Sequence, residues 1–419
     1  MKQEKRKKPI WVKPWGYTEG WLIVLGLFIT GLALQLATGG LDRSALAWPV
    51  NLVVGIIFTL IIVLGWVFLK RKTPVAWLGS IPAAVTSIAM ITFLVLLMGF
   101  TLQEDAQNPV WVQKLGLSNM VSSWPFIFGI IFFLTSLGMA TVKRLIPFKG
   151  RNIGFFLNHA GLYIIIIGGM LGSADLKRYT MHLHEGEIVW YANDRHGHQV
   201  QMPLALELIS FNMEEYNPKI AVIDPHSGRI IPETISEMFE IDKGNRGTIF
   251  GYDVEILEFH KLSGKIGDRY EPVNDFGAAP AAYVRATCEE GESTEGWISS
   301  GSFMMPHSLV DLNHVYDFSL AMTIPQASHY SSDVVLYTES GDVEEVRIEV
   351  NHPVSAEGWK LYQYSYDDRF GRWSPSTVIE AIRDPWLPFV YSGIYMVLIG
   401  SVYLMTLGKA PVKENGEQS

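Results

Sequence analysis

The sequence predicts a polytopic α-helical membrane protein of about six spans, with a large, mainly β, extracytoplasmic domain inserted before the last span. Three observations carry this. Six long runs are apolar without central charge, the short loops between them differ in basic residues, and a long stretch before the final run has a soluble composition. Of 419 residues, 48% are hydrophobic, and mean hydropathy is +0.18. That apolar content lies in unbroken runs rather than amphipathic elements, which is the membrane pattern.

A span needs about 20 apolar residues to cross a hydrocarbon core of about 30 Å. The qualifying runs are Trp21–Ala37, Pro49–Leu69, Ile81–Phe100, Trp124–Val142, Gly154–Ala174 and Trp386–Gly408. Only a helix or a closed barrel satisfies its backbone in hydrocarbon, and runs without alternation are helices. The expected division is a membrane region over 1–174 with about five helices, a mainly β domain over 175–384, a final helix over 385–408 and a cytoplasmic tail over 409–419. The basic start, Met1–Lys8, lacks a small-residue cleavage site before the first run, so that run reads as a retained helix.

Flanking charge orients the spans. Lys2, Lys5, Arg6, Lys7, Lys8 and Lys13 precede the first. Lys70, Arg71 and Lys72 separate the second from the third, and Lys143, Arg144, Lys149 and Arg151 the fourth from the fifth. The alternate loops, Gly39–Trp48 and Thr101–Ser123, are poor in basic residues, and the second carries Glu104 and Asp105. Both termini are therefore expected in the cytoplasm and the inserted domain outside it. Trp15, Trp21, Trp48, Trp77, Trp124 and Trp386 lie near run ends, as an aromatic belt would, although tryptophan also fills protein cores.

Composition narrows the function classes. Net charge is −9 and the pI about 5.7, so no nucleic-acid partner is expected. The single cysteine, Cys288, forms no internal disulfide, and there is no Cys-x-x-Cys for thiol exchange or covalent haem attachment. No catalytic triad, phosphate loop or zinc-protease helix has its required local context.

In the inserted domain the hydrophobic signal becomes short or alternating, as in Leu204–Ile209, Ile220–Ile223, Tyr252–Leu257, Val334–Tyr337, Val346–Val350 and Leu361–Tyr366. Turn clusters at Asp194–Gly197, Asp224–Gly228, Lys243–Gly247 and Ser340–Asp342 separate them. This spacing predicts an antiparallel sandwich or barrel-like domain.

Of eleven histidines, His159 alone lies in a span. Ionisable groups in spans usually face a bundle interior or a cavity. A neutral imidazole there can ligate haem iron, shuttle protons, or simply hydrogen-bond a neighbouring helix beside Asn158. Tyr163 and Met170 follow on a similar stripe, and Gly161, Gly168, Gly169 and Gly172 permit close approach of another helix or a flat ligand. His182 and His184 alternate, as do His196 and His198; the readings are a metal site or a solvated strand pair. A third constellation runs from Asn351, His352 and Pro353 through Tyr362, Gln363 and Tyr366 to Asp384 and Pro385. It reads as a turn, an aromatic strand and a capped helix start, hence structural rather than catalytic.

At these residues the chain resembles the ResB (CcsB) family of System II cytochrome c biogenesis. The similar pieces are Val350-Asn-His-Pro-Val354, the Gly358–Tyr366 segment, and Arg383-Asp-Pro before a span. Met202–Leu208 with Phe211 and Glu214–Tyr216, and Ser332-Asp-Val334, agree as well. The fifth span, from Asn158-His-Ala-Gly161, resembles the family helix that carries a membrane histidine. The resemblance implies a subunit that works with CcsA, a multispan haem-handling partner, to move haem b outward and join it to apocytochrome c. It implies His159 as a haem axial ligand, a bacterial cytoplasmic membrane, and an extracytoplasmic thiol-reducing protein as a further partner. The tryptophan-rich haem motif of CcsA is absent, so the chain is expected to be one subunit of a cytochrome c synthase (haem lyase), with no catalytic residue of its own. The competing readings are a haem-free scaffold that docks apocytochrome or stabilises CcsA, and a transporter of another solute. No inverted repeat or pair of broken helices favours the transporter.

Overall fold

The computed structural model describes residues 10–104, 107–312 and 318–406. The basic residues Lys2–Lys8, Asp105 and the tail 409–419 lie outside the described residues. The chain forms two compact units, 1–176 with 384–419, and 177–383.

The first unit contains helices α1 (Tyr17–Thr38), α2 (Val50–Leu69), α3 (Thr73–Leu78), α4 (Ile81–Gly99), α5 (Val110–Lys114), α6 (Trp124–Leu145), α7 (Ile153–Gly172) and α8 (Leu387–Thr406). Six of them, all but the short α3 and α5, are long and apolar enough to cross a membrane among the described residues. Proline sits in the first turn of α3, α4 and α6, where its missing N–H leaves no bond unmade. α6 is the central helix. Twelve of its residues are buried, and it packs against α1, α2, α4 and α7. Trp48 and Trp21 are exposed as an aromatic belt requires, whereas Trp77 is buried. The Trp77 indole stacks on Phe132 at 6.0 Å and donates to the Gly16 carbonyl, so this tryptophan fills a core.

The boundary after α7 has a physical cause. Asp175 accepts hydrogen bonds from the Trp48 backbone (2.8 Å), Asn51 Nδ2 (2.7 Å) and Trp386 Nε1 (2.7 Å). One carboxylate thus ties the starts of α2 and α8 to the end of α7, and Asp175 belongs with the helices rather than with the β unit. Asp384 does so too: it accepts from the Trp386 N–H at 3.1 Å, the cap that Asp-Pro foretells.

The second unit contains β1 (Lys177–His184), β2 (Ile188–Asn193), β3 (Gln199–Glu215), β4 (Ile220–Ile223), β5 (Arg246–Ile249), β6 (Tyr252–Ile266), β7 (Arg269–Pro272), β8 (Ala279–Thr287), β9 (Ser293–Ser299), β10 (Val310–Leu312), β11 (Phe318–Met322), β12 (Ala327–Thr338), β13 (Val343–Glu349), β14 (Val354–Ala356), β15 (Trp359–Tyr366) and β16 (Ser376–Arg383). The first and last of these build an eight-stranded antiparallel sheet in the order β13-β12-β3-β2-β1-β16-β15-β14. Alternate residues of seven strands, among them Met181, Leu206, Val334, Ile348, Leu361 and Ile379, enclose one core. β12 and β13 pack back against β15, so the sheet is barrel-like. The middle strands form a five-stranded sheet that includes β7 and a three-stranded one, which sandwich a second core around Ile220, Ile256, Val284 and Leu320. Sequence predicts a sandwich or a barrel; the unit contains both.

β3 shows how alternation is bent to the fold. Met202, Leu204, Leu206 and Leu208 point inward. Leu208 pairs with Val334 and Ser210 with Asp333, so Ile209 is an extra residue. This bulge reverses the phase, and Phe211 and Met213 become the buried ones.

Candidate functional site

α7 and α8 pack antiparallel through glycines. A Cβ added at Gly161 would lie 2.6 Å from the Gly393 carbonyl, one at Gly154 2.7 Å from Leu404, and one at Gly168 2.8 Å from Phe389. In hydrocarbon no hydrophobic force drives helices together, so close van der Waals contact between small residues does. α8, with Trp386 just before it, therefore occupies the face of Gly161, Gly168 and Gly172 that would otherwise admit a flat ligand. Gly169 faces open space.

Asn158 makes the interhelical bond of this seam, accepting from Ser401 Oγ at 3.0 Å. His159 is turned away from it. Its Nδ1 lies 3.0 Å from the Phe155 carbonyl one turn earlier, and its ring stacks on Phe155 at 3.6 Å. The Arg144 guanidinium sits 4.0 Å from the Phe155 ring centre. A carbonyl only accepts, so Nδ1 carries the proton and Nε2 keeps its lone pair. Nε2 has no hydrogen-bond partner among the described residues. On the same stripe, Tyr163 hydrogen-bonds Thr59 of α2 at 3.0 Å, and Met170 packs into the α6 core.

In the β unit the Asn351–Pro353 turn has a topological role that sequence does not reveal. β13 and β14 are the two edges of the eight-stranded sheet, and this turn joins them. Asn351 takes a left-handed backbone (φ 65°), and Glu349 and His352 form a bridge across the turn. His352 is exposed, with Nδ1 3.9 Å from Glu349. Tyr362, further along on β15, is half-buried. Glu357 and Gly358, both at positive φ, then turn β14 into β15.

Gln363 is 6% exposed and anchors a polar knot inside the barrel. The Ser332 hydroxyl donates to Gln363 Oε1 at 2.6 Å. Gln363 Nε2 donates to Thr377 Oγ1 at 2.7 Å and to the Ser365 carbonyl at 3.2 Å. Thr377 in turn donates to the same carbonyl at 3.1 Å. Tyr364 is an extra residue of β15 between Gln363 and Ser365, so the knot satisfies backbone that a bulge has freed. Because β12 and β15 are not neighbours in the strand order, it also ties the two ends of the sheet together. Tyr366 stacks on Phe211 at 5.1 Å and meets Tyr330 edge-on. Ser332, Phe211, Gln363 and Tyr366, read from separate stretches of sequence, thus converge in one barrel.

Nearby, burial pushes the Glu215 carboxyl up, and Arg372 at 3.1 Å pulls it back. Hydrogen bonds from Arg347 hold Asp333 below the usual carboxylate range. The four clustered histidines lie as two pairs on different elements. His182 and His184 share the exposed face of β1. His196 and His198 lie in a hairpin whose backbone N–H groups are held by Asp194, and the His198 ring bonds to that same carboxylate at 3.1 Å. Among the described residues no group of three or more His, Cys, Asp or Glu is placed to hold a metal ion.

The fold defines a multi-pass membrane protein whose last helix follows a large β unit. Residues 286–374 match the family model of the ResB-like family, consistent with the ResB/CcsB resemblance read from the motifs. The match includes Ser332, the Asn351 turn and Gln363, but neither the membrane helices nor His159. No curated protein matches the chain. The match supports a membrane protein related to cytochrome c biogenesis.

Proposed function

We propose that this chain is a membrane subunit of a System II cytochrome c assembly machine that handles haem with a CcsA-type partner for export and attachment to apocytochrome c. The observation that carries this reading is the state of His159: an imidazole in a span, Nδ1 proton tied to its own helix, Nε2 lone pair without a partner among the described residues. That is the tautomer and orientation a metal-ligating histidine adopts. Haem is the cargo here, and its iron needs axial ligands; His159 would supply one and the partner the other. The barrel, closed at Asn351 and knotted at Gln363, is the rigid body to which apocytochrome or a thiol-reducing protein would dock. Both termini would face the cytoplasm of a bacterial cell and the β unit its exterior, following the basic loops.

The test is the absorption spectrum of the complex purified with its CcsA-type partner. His159→Gly should lose haem and cytochrome c maturation, and added imidazole should restore part of both. Full haem content and normal maturation in that variant would leave the haem-free scaffold as the better reading. A reporter active only in the cytoplasm, inserted after the exposed turn residue Gly341, should stay silent; activity there would refute the orientation.

A further inference from the structure

Near one end of the helical unit lies an apolar cavity of about 280 Å³. Its walls are Val54 and Phe58 of α2, Ile130 and Ile131 of α6, and Ile167 and Met170 of α7. Val54 is 39% and Ile131 45% exposed, and both lie on spans, so the cavity opens sideways into the bilayer. Arg43 also lines it. Arg43 is the only basic residue of the loop Gly39–Trp48, on a side of the bundle otherwise poor in basic loop residues. Its Nε donates to Ser122 Oγ at 2.7 Å and its Nη2 to Asn119 Oδ1 at 2.8 Å. Two neutral side chains thus fix the guanidinium at the cavity while leaving its charge unneutralised. No carboxylate among the described residues pairs with it, and the adjacent Asp42 instead caps the Ser44 N–H at 2.9 Å.

An apolar slot open to lipid, with a fixed and unpaired arginine on its wall, matches an amphiphile that has an anionic head. We propose that this cavity is a binding site for one anionic phospholipid. An acyl chain lies between α2, α6 and α7, and the phosphate accepts from the free N–H groups of Arg43. Arginine suits this role because its planar fork bonds two phosphate oxygens at once. The site is separate from His159, and the proposal does not depend on haem handling.

The experiment is native mass spectrometry of the full chain in mild detergent with equimolar phosphatidylglycerol and phosphatidylcholine of matched chains. One phosphatidylglycerol should be retained about fivefold over phosphatidylcholine, the factor that ~1 kcal/mol per cationic side chain beside anionic lipid gives. Arg43→Gln should abolish the preference, Arg43→Lys should keep part of it, and Val54→Trp, which adds bulk to the wall, should lower occupancy by both lipids. Equal retention by the wild type, or an unchanged preference in Arg43→Gln, overturns the proposal. So does a free fatty acid or a tetrapyrrole bound in place of phospholipid. Should Arg43→Gln fail to fold, the wild type still decides: its preference must weaken as salt screens the charge, and indifference to salt overturns the site.

Discussion

The α7–α8 seam and the barrel core are both closely packed, and they reach that state by opposite means. The seam removes side chains: Gly161 and Gly393 let two backbones touch, and one polar pair, Asn158 with Ser401, sets their register. The barrel fills its interior with alternating large side chains and then places a polar knot where two bulges break the alternation. The difference follows from the solvent. In hydrocarbon, apolar side chains gain nothing by meeting each other, so proximity itself must supply the attraction. In water, burial of apolar area drives assembly, and every polar group taken inside needs a partner.

The comparison breaks most readily at Gly161. Gly161→Leu should abolish recovery of folded protein, since its side chain must enter the Gly393 backbone, whereas Gly169→Ala, facing open space, should behave as wild type. Size-exclusion profiles after mild heating would separate them, and an intact Gly161→Leu profile would show that the seam is not the constraint. In the barrel, Gln363→Ala removes the amide's hydrogen bonds to Ser332, Thr377 and the Ser365 carbonyl, while Ser332 and Thr377 keep their own bond at 3.0 Å. A loss of roughly 2–3 kcal/mol is expected, because each buried hydrogen bond contributes about 0.5–1.5 kcal/mol. Proteolysis of the full chain across a urea series would measure it.

A smaller effect is expected at the turn that joins the sheet edges. Asn351→Gly should be nearly neutral, because glycine accepts a positive φ, while Asn351→Val should cost roughly 1–2 kcal/mol. Asn351→Val, and disruptive variants at His352 or Pro353, should then lower abundance and co-purification with the proposed partner alongside cytochrome c yield. Normal abundance and a normal complex with cytochrome c abolished would instead make His352 a direct participant.

The smallest effect concerns Asp333. Its folded pKa is depressed, first by the hydrogen bond from Arg347, against an opposing contribution from burial. Its stabilisation is therefore complete above the ordinary aspartate value of 3.8 and is lost as pH falls through the depressed value. Asp333→Asn should be less stable than wild type near neutrality, and the gap should close in acid. A gap that stays constant down to pH 2 would remove the pairing as its source.

By itself the sequence determined the six spans, because length and unbroken apolarity are local properties that the bilayer reads directly. It determined the position of the β unit, and it marked Asn351, Gln363 and Tyr366 as belonging together in a family motif. It also isolated His159, the only histidine in a span, but not which nitrogen that histidine leaves free. That depends on the Phe155 carbonyl lying one helical turn below. Tertiary structure alone decided that α8 fills the glycine face of α7, that Asn351 joins the two edges of a barrel, and that Ser332 meets Gln363 across its interior. Each of these is a contact between residues distant in sequence. Such contacts are set by sheet order and bulge position, and a single shifted residue, as at Ile209, turns every following side chain to the other face.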